Sequence, residues 1–275
     1  MVKNKFTVFT KPWKNIALEE LAELVKDMGF DGIEYPLRDG YQIQPSDGAQ
    51  GIKRLAAVLE AFGLTVGSIA GGIDVKFTHD NKVAGINEEL FAGCGEAGIK
   101  IIRICQGLDR KTEFFENLSQ IRRTYDAAVP YCEKYGVTIG VQMHCDDCIT
   151  SSAETYILLK DYNPKHIAAV WDSGHSGLAG TEPCFALDTV WDMMCMANFK
   201  AAYWKLRHGP EQDEAIWDSY WTLGRHACGS WKEAVDHLKK RGYSGVVCLP
   251  AEYSDEPNVE KYTKQDLAYL KGLFA

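Results

Sequence analysis

The sequence predicts an α/β protein folded as one (β/α)8 barrel over residues 1–275, and three observations carry that prediction. Eight short apolar runs alternate with amphipathic helical stretches along the whole chain. Several of the runs are apolar on both faces, as parallel strands covered by helices are. No GxGxxG follows the first strand, which argues against an open doubly wound sheet, and 275 residues suit a single barrel with no room for a second domain.

Residues 6–9, aromatic and β-branched, read as the first strand. Over residues 17–28, Leu18, Leu21, Leu24 and Val25 share one helical face with Glu and Lys opposite, and Gly29 closes the helix. FDGIEYPLRDG is the second strand, ending in Glu34 with Arg38 just beyond. A helix over 52–62, the strand GLTVGSIAGG, a helix over 88–97 and the strand IKIIRICQG continue the alternation. A long helix over 112–135 stops at Gly136, GVTIGVQMHCD is the fifth strand, and a helix over 152–162 leads to the sixth, IAAVWDSGHSG. The remaining elements are a helix over 184–197, a seventh strand FKAAYWKLRHG, a helix over 231–241, an eighth strand SGVVCLPAEYS and a last helix over 264–274.

Composition narrows the function. Apolar content of 46% and charged content of 25% are those of an ordinary soluble globular protein. A net charge of −8 opposes long phosphate backbones, so no nucleic-acid partner is expected. No run approaches the roughly 18 apolar residues of a membrane span, and MVKNKFTVFTKPW lacks the apolar core of a signal peptide, so the chain reads as cytoplasmic with no membrane partner. Nine cysteines, scattered through runs such as RICQ, PYCEKY and VVCLP, suit reduced thiols. Cys145 and Cys148 in HCDDC form a lone CxxC, a weak pointer to metal or redox chemistry.

In a barrel of this kind, the residues at the C-terminal ends of the strands face one cavity. The polar residues there are Glu34, Gln142, His144, Asp172, His175, Lys205, His208 and Glu252. Asp172 and His175 can serve a metal or polar substrate; equally, Asp172 can cap the next element and His175 be a satisfied loop histidine. Lys205 reads either as a cavity lysine able to transfer protons or as a strand lysine paired with Asp172 or Glu252.

The stretches LEELAELVKDMGFDGIEYPLR, GVTIGVQMHCD, VWDSGHSG and RGYSGVVCLPAEY resemble the xylose isomerase-like TIM barrels, over nearly the whole chain. That family includes sugar isomerases, ketose epimerases, inosose dehydratases and endonuclease IV. The resemblance implies a divalent metal (Mn, Mg, Co or Zn) held by a glutamate, an aspartate, a histidine and a glutamate on the last four strands, and it implies homo-oligomers. By position Asp172 and Glu252 match ligands, His175 matches a histidine that contacts substrate, and His144 matches the histidine of the Glu-Asn-His string. Gln142 replaces the first glutamate, and Tyr203 or Trp204 stands where the ligand histidine is expected, with Lys205 keeping the lysine that follows it. The expected metal set is therefore Asp172, Glu252, Gln142 and His144, with His208 as the second choice of histidine.

The family's epimerases imply two glutamates exchanging a proton beside a carbonyl, and Gln142 cannot accept one. Glu252 is then the expected base, with His144, His175 or Lys205 as the acid. The expected activity is isomerization or epimerization of an unphosphorylated keto-sugar. The alternatives are a lyase or dehydratase acting on a keto-sugar or oxidised glycoside, and a non-catalytic carbohydrate-binding subunit with a decayed metal site. The aromatic segment 215–231 reads as a sugar-stacking wall or as loop packing or a subunit interface, and Trp13 as part of the same wall. His175, Glu34, Arg38, Trp13 and His208 make up the expected substrate contacts.

Overall fold

In the computed structural model, which describes residues 4–275 apart from 81, 107, 108, 110, 148 and 210–212, eight parallel strands close into a barrel. They are β1 (Lys5–Phe9), β2 (Gly32–Pro36), β3 (Thr65–Ala70), β4 (Ile101–Ile104), β5 (Thr138–Gln142), β6 (Ile167–Asp172), β7 (Met194–Asn198) and β8 (Val246–Leu249). Closure comes from β1 pairing with β8, from Lys5 opposite Val246 to Val8 opposite Leu249. The helices are α1 (Leu18–Met28), α2 (Gly48–Ala61), α3 (Glu88–Glu96), α4 (Phe114–Tyr135), α5 (Ser152–Leu159), a short α6 (Ser173–Leu178), α7 (Pro183–Val190), α8 (Trp231–Lys240) and α9 (Val259–Phe274). The chain is thus a single (β/α)8 barrel.

The period of two along a strand sorts its residues between two cores. Phe9, Ala70, Ile101, Val170, Met196 and Cys248 form a compact cluster inside the barrel. The larger cluster packs alternate residues such as Val8, Ile33, Ile102 and Trp171 with the apolar helix faces, for example Leu21 and Val25 of α1. The same alternation places buried polar residues within β2 and β4, namely Glu34 and Arg103, and at the ends of β5, β6 and β7, namely Gln142, Asp172 and Asn198.

One expected strand is misplaced. The seventh barrel strand is Met194–Asn198, overlapping the end of the stretch expected as helix, because α7 stops at Val190. The expected strand at 199–209 leaves the barrel instead: Ala201–Leu206 pairs antiparallel with Trp217–Thr222 in a hairpin. A second small hairpin joins Lys76–Phe77 to Val83–Gly85. Among the described residues every cysteine is free, and no helix is long and apolar enough to cross a membrane; Cys148 lies outside the described residues.

Candidate active site

The mouth of the barrel has a dry half and an open half. On the dry side Glu34, fully buried, accepts hydrogen bonds on Oε1 from Ser68 Oγ at 2.9 Å and Arg103 Nε at 2.6 Å. Arg103 also donates to Gln142 Oε1, and its guanidinium lies 4.9 Å from the Phe9 ring centre. Gln142 Nε2 donates in turn to Asp172 Oδ2 at 2.6 Å. Asp172 Oδ1 accepts from the backbone N–H of Gly174 and His175 at 2.9 and 3.0 Å, so the aspartate caps α6 as one of its two readings expected. Burial disfavours the charge on Arg103, but Glu34 beside it outweighs that and holds the guanidinium protonated. Burial raises the Asp172 carboxyl above its ordinary range, with Lys200 and these hydrogen bonds opposing.

On the open side a cavity of about 790 Å³ is lined by Trp13, His144, Lys200, Trp221, Glu252 and Tyr253, among others. Glu252 accepts from Lys200 Nζ at 2.5 Å and from Lys11 Nζ at 2.7 Å. Burial pushes the Glu252 carboxyl up, yet the two ammonium groups outweigh it and hold its pKa at about 2. Lys200 Nζ also lies 3.2 Å from His175 Nε2 and 3.8 Å from the centre of the Trp221 ring. The His175 and His144 rings pack at 4.1 Å between centres. Burial first and Lys200 second drive His175 well below its ordinary pKa, and the same causes lower His144.

The tautomer of His175 matters here. Cys145 N–H donates to Nδ1 at 3.1 Å, which leaves the proton of the neutral ring on Nε2. Two donors, Nε2–H and the Lys200 ammonium, therefore converge at 3.2 Å with no acceptor between them. Such a pair is set up to receive an oxygen carrying negative charge.

The backbone holds these groups in place. Lys200 N–H donates to Ser173 Oγ at 2.9 Å, while the Lys200 carbonyl accepts from that hydroxyl at 2.7 Å and from Trp231 Nε1 at 3.2 Å. Gly174 makes the approach feasible, since a Cβ there would lie 3.0 Å from the Lys200 carbonyl oxygen. Ala251, just before Glu252, sits in the left-handed region at φ 52° although it is not glycine. Just after it, the Tyr253 hydroxyl donates to Asp266 Oδ2 at 2.9 Å. The hairpin is tied to this exit by Trp221 N–H to Ser254 Oγ at 2.9 Å and Ser254 N–H to the Trp221 carbonyl at 3.0 Å.

Most expected site residues come together, and a few do not. Glu252, His144, His175 and Trp13 stand in or against the cavity, and Asp172 and Gln142 sit beneath it among the residues of the dry side. Glu34 is sealed under Arg103, and Arg38 is exposed at the edge of a second cavity of about 340 Å³ with Arg103, Cys105 and Gln106. Lys205 is corrected: it projects from the outer hairpin, exposed, with Nζ 5.0 Å from the Tyr220 ring centre, and pairs with neither Asp172 nor Glu252. His208 follows the same strand, its Nδ1 3.0 Å from the Gly209 carbonyl. The displacement of β7 causes both differences, and it puts Asn198, not Tyr203 or Trp204, at the strand end opposite Asp172.

Four residues of the site are not among those the sequence singles out, and one of them is Lys11, just after the first strand. Arg103 was visible as a charge inside the apolar run IKIIRICQG, Lys200 followed the unrecognised strand, and Asn198 ended it. Asn198 is buried, and neither polar atom of its carboxamide has a partner. The aromatic segment divides: Trp221 faces the site, Trp231 is core, and Trp217 is exposed.

The residues present do not fit the expected metal. All four oxygens of Asp172 and Glu252 already accept hydrogen bonds, and the one atom of Gln142 able to ligate faces Arg103. A different group, His144, Cys145 and His175, offers ligand atoms within 4.8 Å of one another and could hold a metal ion.

The chain belongs to the xylose isomerase-like TIM barrel family, whose pattern matches residues 22–273. Inosose dehydratase of Bacillus licheniformis is 24% identical over 131 residues, a match that spans 46% of this chain and 43% of that protein. The 3-keto-D-glucoside 4-epimerase of E. coli superposes with a TM-score of 0.69 at 15% identity, over 98% of this chain and all of the other. The D-psicose 3-epimerase of Clostridium cellulolyticum H10 gives 0.71 at 14% identity, over 98% and 99%. A probable 3-DHS dehydratase of Bacillus anthracis gives 0.72 at 13% identity, over 97% and 98%. At these identities the likeness to the solved structures is one of fold.

Proposed function

We propose that the protein is a keto-sugar isomerase or epimerase that moves a proton on the carbon beside a carbonyl. The converging donors Lys200 Nζ and His175 Nε2 next to the Glu252 carboxylate carry this reading. Glu252 takes the proton from carbon, the electron pair of that bond moves to the carbonyl, and the resulting enolate oxygen lies against Lys200 and His175. Return of the proton to the former carbonyl carbon, with the neighbouring hydroxyl proton passing to the enolate oxygen, gives the isomer; delivery of a proton to the opposite face of the same carbon by a second acid, the part open to His144, gives the epimer. Trp221 and Trp13 supply flat walls on which a sugar ring can stack.

A dehydratase is the second reading, favoured by one observation: an imidazole, His144, lines the same cavity as Glu252. An imidazole can protonate a departing hydroxyl. The epimerase and dehydratase names of the structural neighbours and of the sequence relative support both readings. One domain is supported by the closed barrel and the span of the family match, and free cysteines support a reducing, cytoplasmic setting. The test is proton exchange from deuterated water into a panel of ketoses and 3-keto sugars, followed by NMR. Exchange with retention of all oxygens supports the isomerase, water release supports the dehydratase, and binding without exchange overturns both.

A further inference from the structure

We infer that Lys200 and Arg103, cations built into the chain, take the electrostatic part that a divalent ion at Asp172 and Glu252 would otherwise play; this rests on the proton-transfer reading above. Three carboxylates at the mouth, Glu34, Asp172 and Glu252, face three cationic side chains, Arg103, Lys200 and Lys11. The ion pairs are close: Arg103 Nε to Glu34 at 2.6 Å, Lys200 Nζ to Glu252 at 2.5 Å and Lys11 Nζ to Glu252 at 2.7 Å. Glu34 and Glu252 are thus already paired with cations, and Arg103 and Lys200 are only 7% and 6% exposed. A dication bound at Asp172 and Glu252 would lie against the buried Lys200 ammonium, and Glu252 would have to release both of its lysine partners to hold it.

The neighbouring positions lower the anionic charge further. Gln142 and Asn198 end the strands on either side of Asp172, and a carboxamide supplies a dipole where a carboxylate would supply charge. The Gln142 amide is also oriented the wrong way for an ion at Asp172, since its N–H, not its oxygen, points at that carboxylate. Lys200 Nζ, which lies against both Glu252 and His175, is then the positive charge that meets a substrate carbonyl.

Calorimetric titration of Mn²⁺ into chelator-treated protein tests this without a substrate, because manganese favours oxygen ligands and so discriminates against the His144, Cys145 and His175 group. The wild-type chain is expected to show no one-to-one binding that D172N abolishes. The double variant Q142E/N198H is expected to gain such a site. A stoichiometric wild-type site lost in D172N overturns the inference, as does a folded double variant that still ignores Mn²⁺. In the exchange assay, EDTA should change the wild-type rate less than about 2-fold, while K200M should lower it by roughly 10²–10³-fold. Absence of exchange with and without Mn²⁺ would defeat the proposed activity, while the titration would still decide the question of the ion.

Discussion

The two halves of the barrel mouth use the same side-chain types to opposite ends. From Glu34 through Arg103 and Gln142 to Asp172, the principal donors find acceptors and the backbone of α6 completes the chain. Between Lys200 and His175, two donors face each other without an acceptor, beside a carboxylate open to the cavity. Polar satisfaction separates the groups that hold the site from those that act in it: the first half has spent its hydrogen bonds, while in the second Glu252 is held by its two lysines and the Lys200–His175 pair still has donors to offer.

Substitution should break this contrast from each side. The largest effect is expected for E252Q, which keeps shape but removes the base: the exchange rate should fall roughly 10²–10⁴-fold, and unfolding by denaturant should also become easier because Lys200 loses its counter-charge. R103L attacks the other half and leaves Glu34 buried without its counter-charge. Denaturant titration should show a loss of about 3–5 kcal/mol, much of it recovered in E34L/R103L. A rate effect without a stability loss in R103L would erase the distinction between the halves.

A smaller effect concerns pH. The folded pKa of His175 is depressed, so between it and the unfolded value of about 6.5 the unfolded chain binds the extra proton. The stability tied to this ring is complete above about pH 6.5 and is lost as pH falls below it. Wild type minus H175N, followed by thermal unfolding from pH 7.5 to 5, should isolate that slope, because Asp147 and Asp266, both raised to about 6, act with the opposite sign in both proteins. The smallest effect belongs to K205A, on the exposed hairpin. Its stability should stay within about 0.5 kcal/mol of wild type and its rate within about 2-fold, in contrast to K200M.

The barrel was legible because alternation of apolar runs and helices is a local property. The seventh strand was not. Met, Cys and Ala in MMCMAN are poor strand markers and good helix formers, so the run merged with the helix before it and shifted every later assignment on that unit. The Arg103 charge stood out in its apolar strand, but its partner Glu34 lies 69 residues away, and only barrel closure brings the pair together. Asp172 stands out in the sequence at the end of its apolar strand, yet its commitment to the α6 N–H groups and the Gln142 amide depends on three-dimensional register.

Ala251 carries one more consequence. A side chain held at φ 52° costs roughly 1–2 kcal/mol that glycine would not incur, and here it sits one bond from the proposed base. Selection for heat resistance alone would therefore favour glycine at this position. Selection for turnover would retain the alanine, since a looser backbone would let the Glu252 carboxylate wander from the lysine and histidine it works beside. The residue marks a point where the durability of this chain and its speed pull against each other.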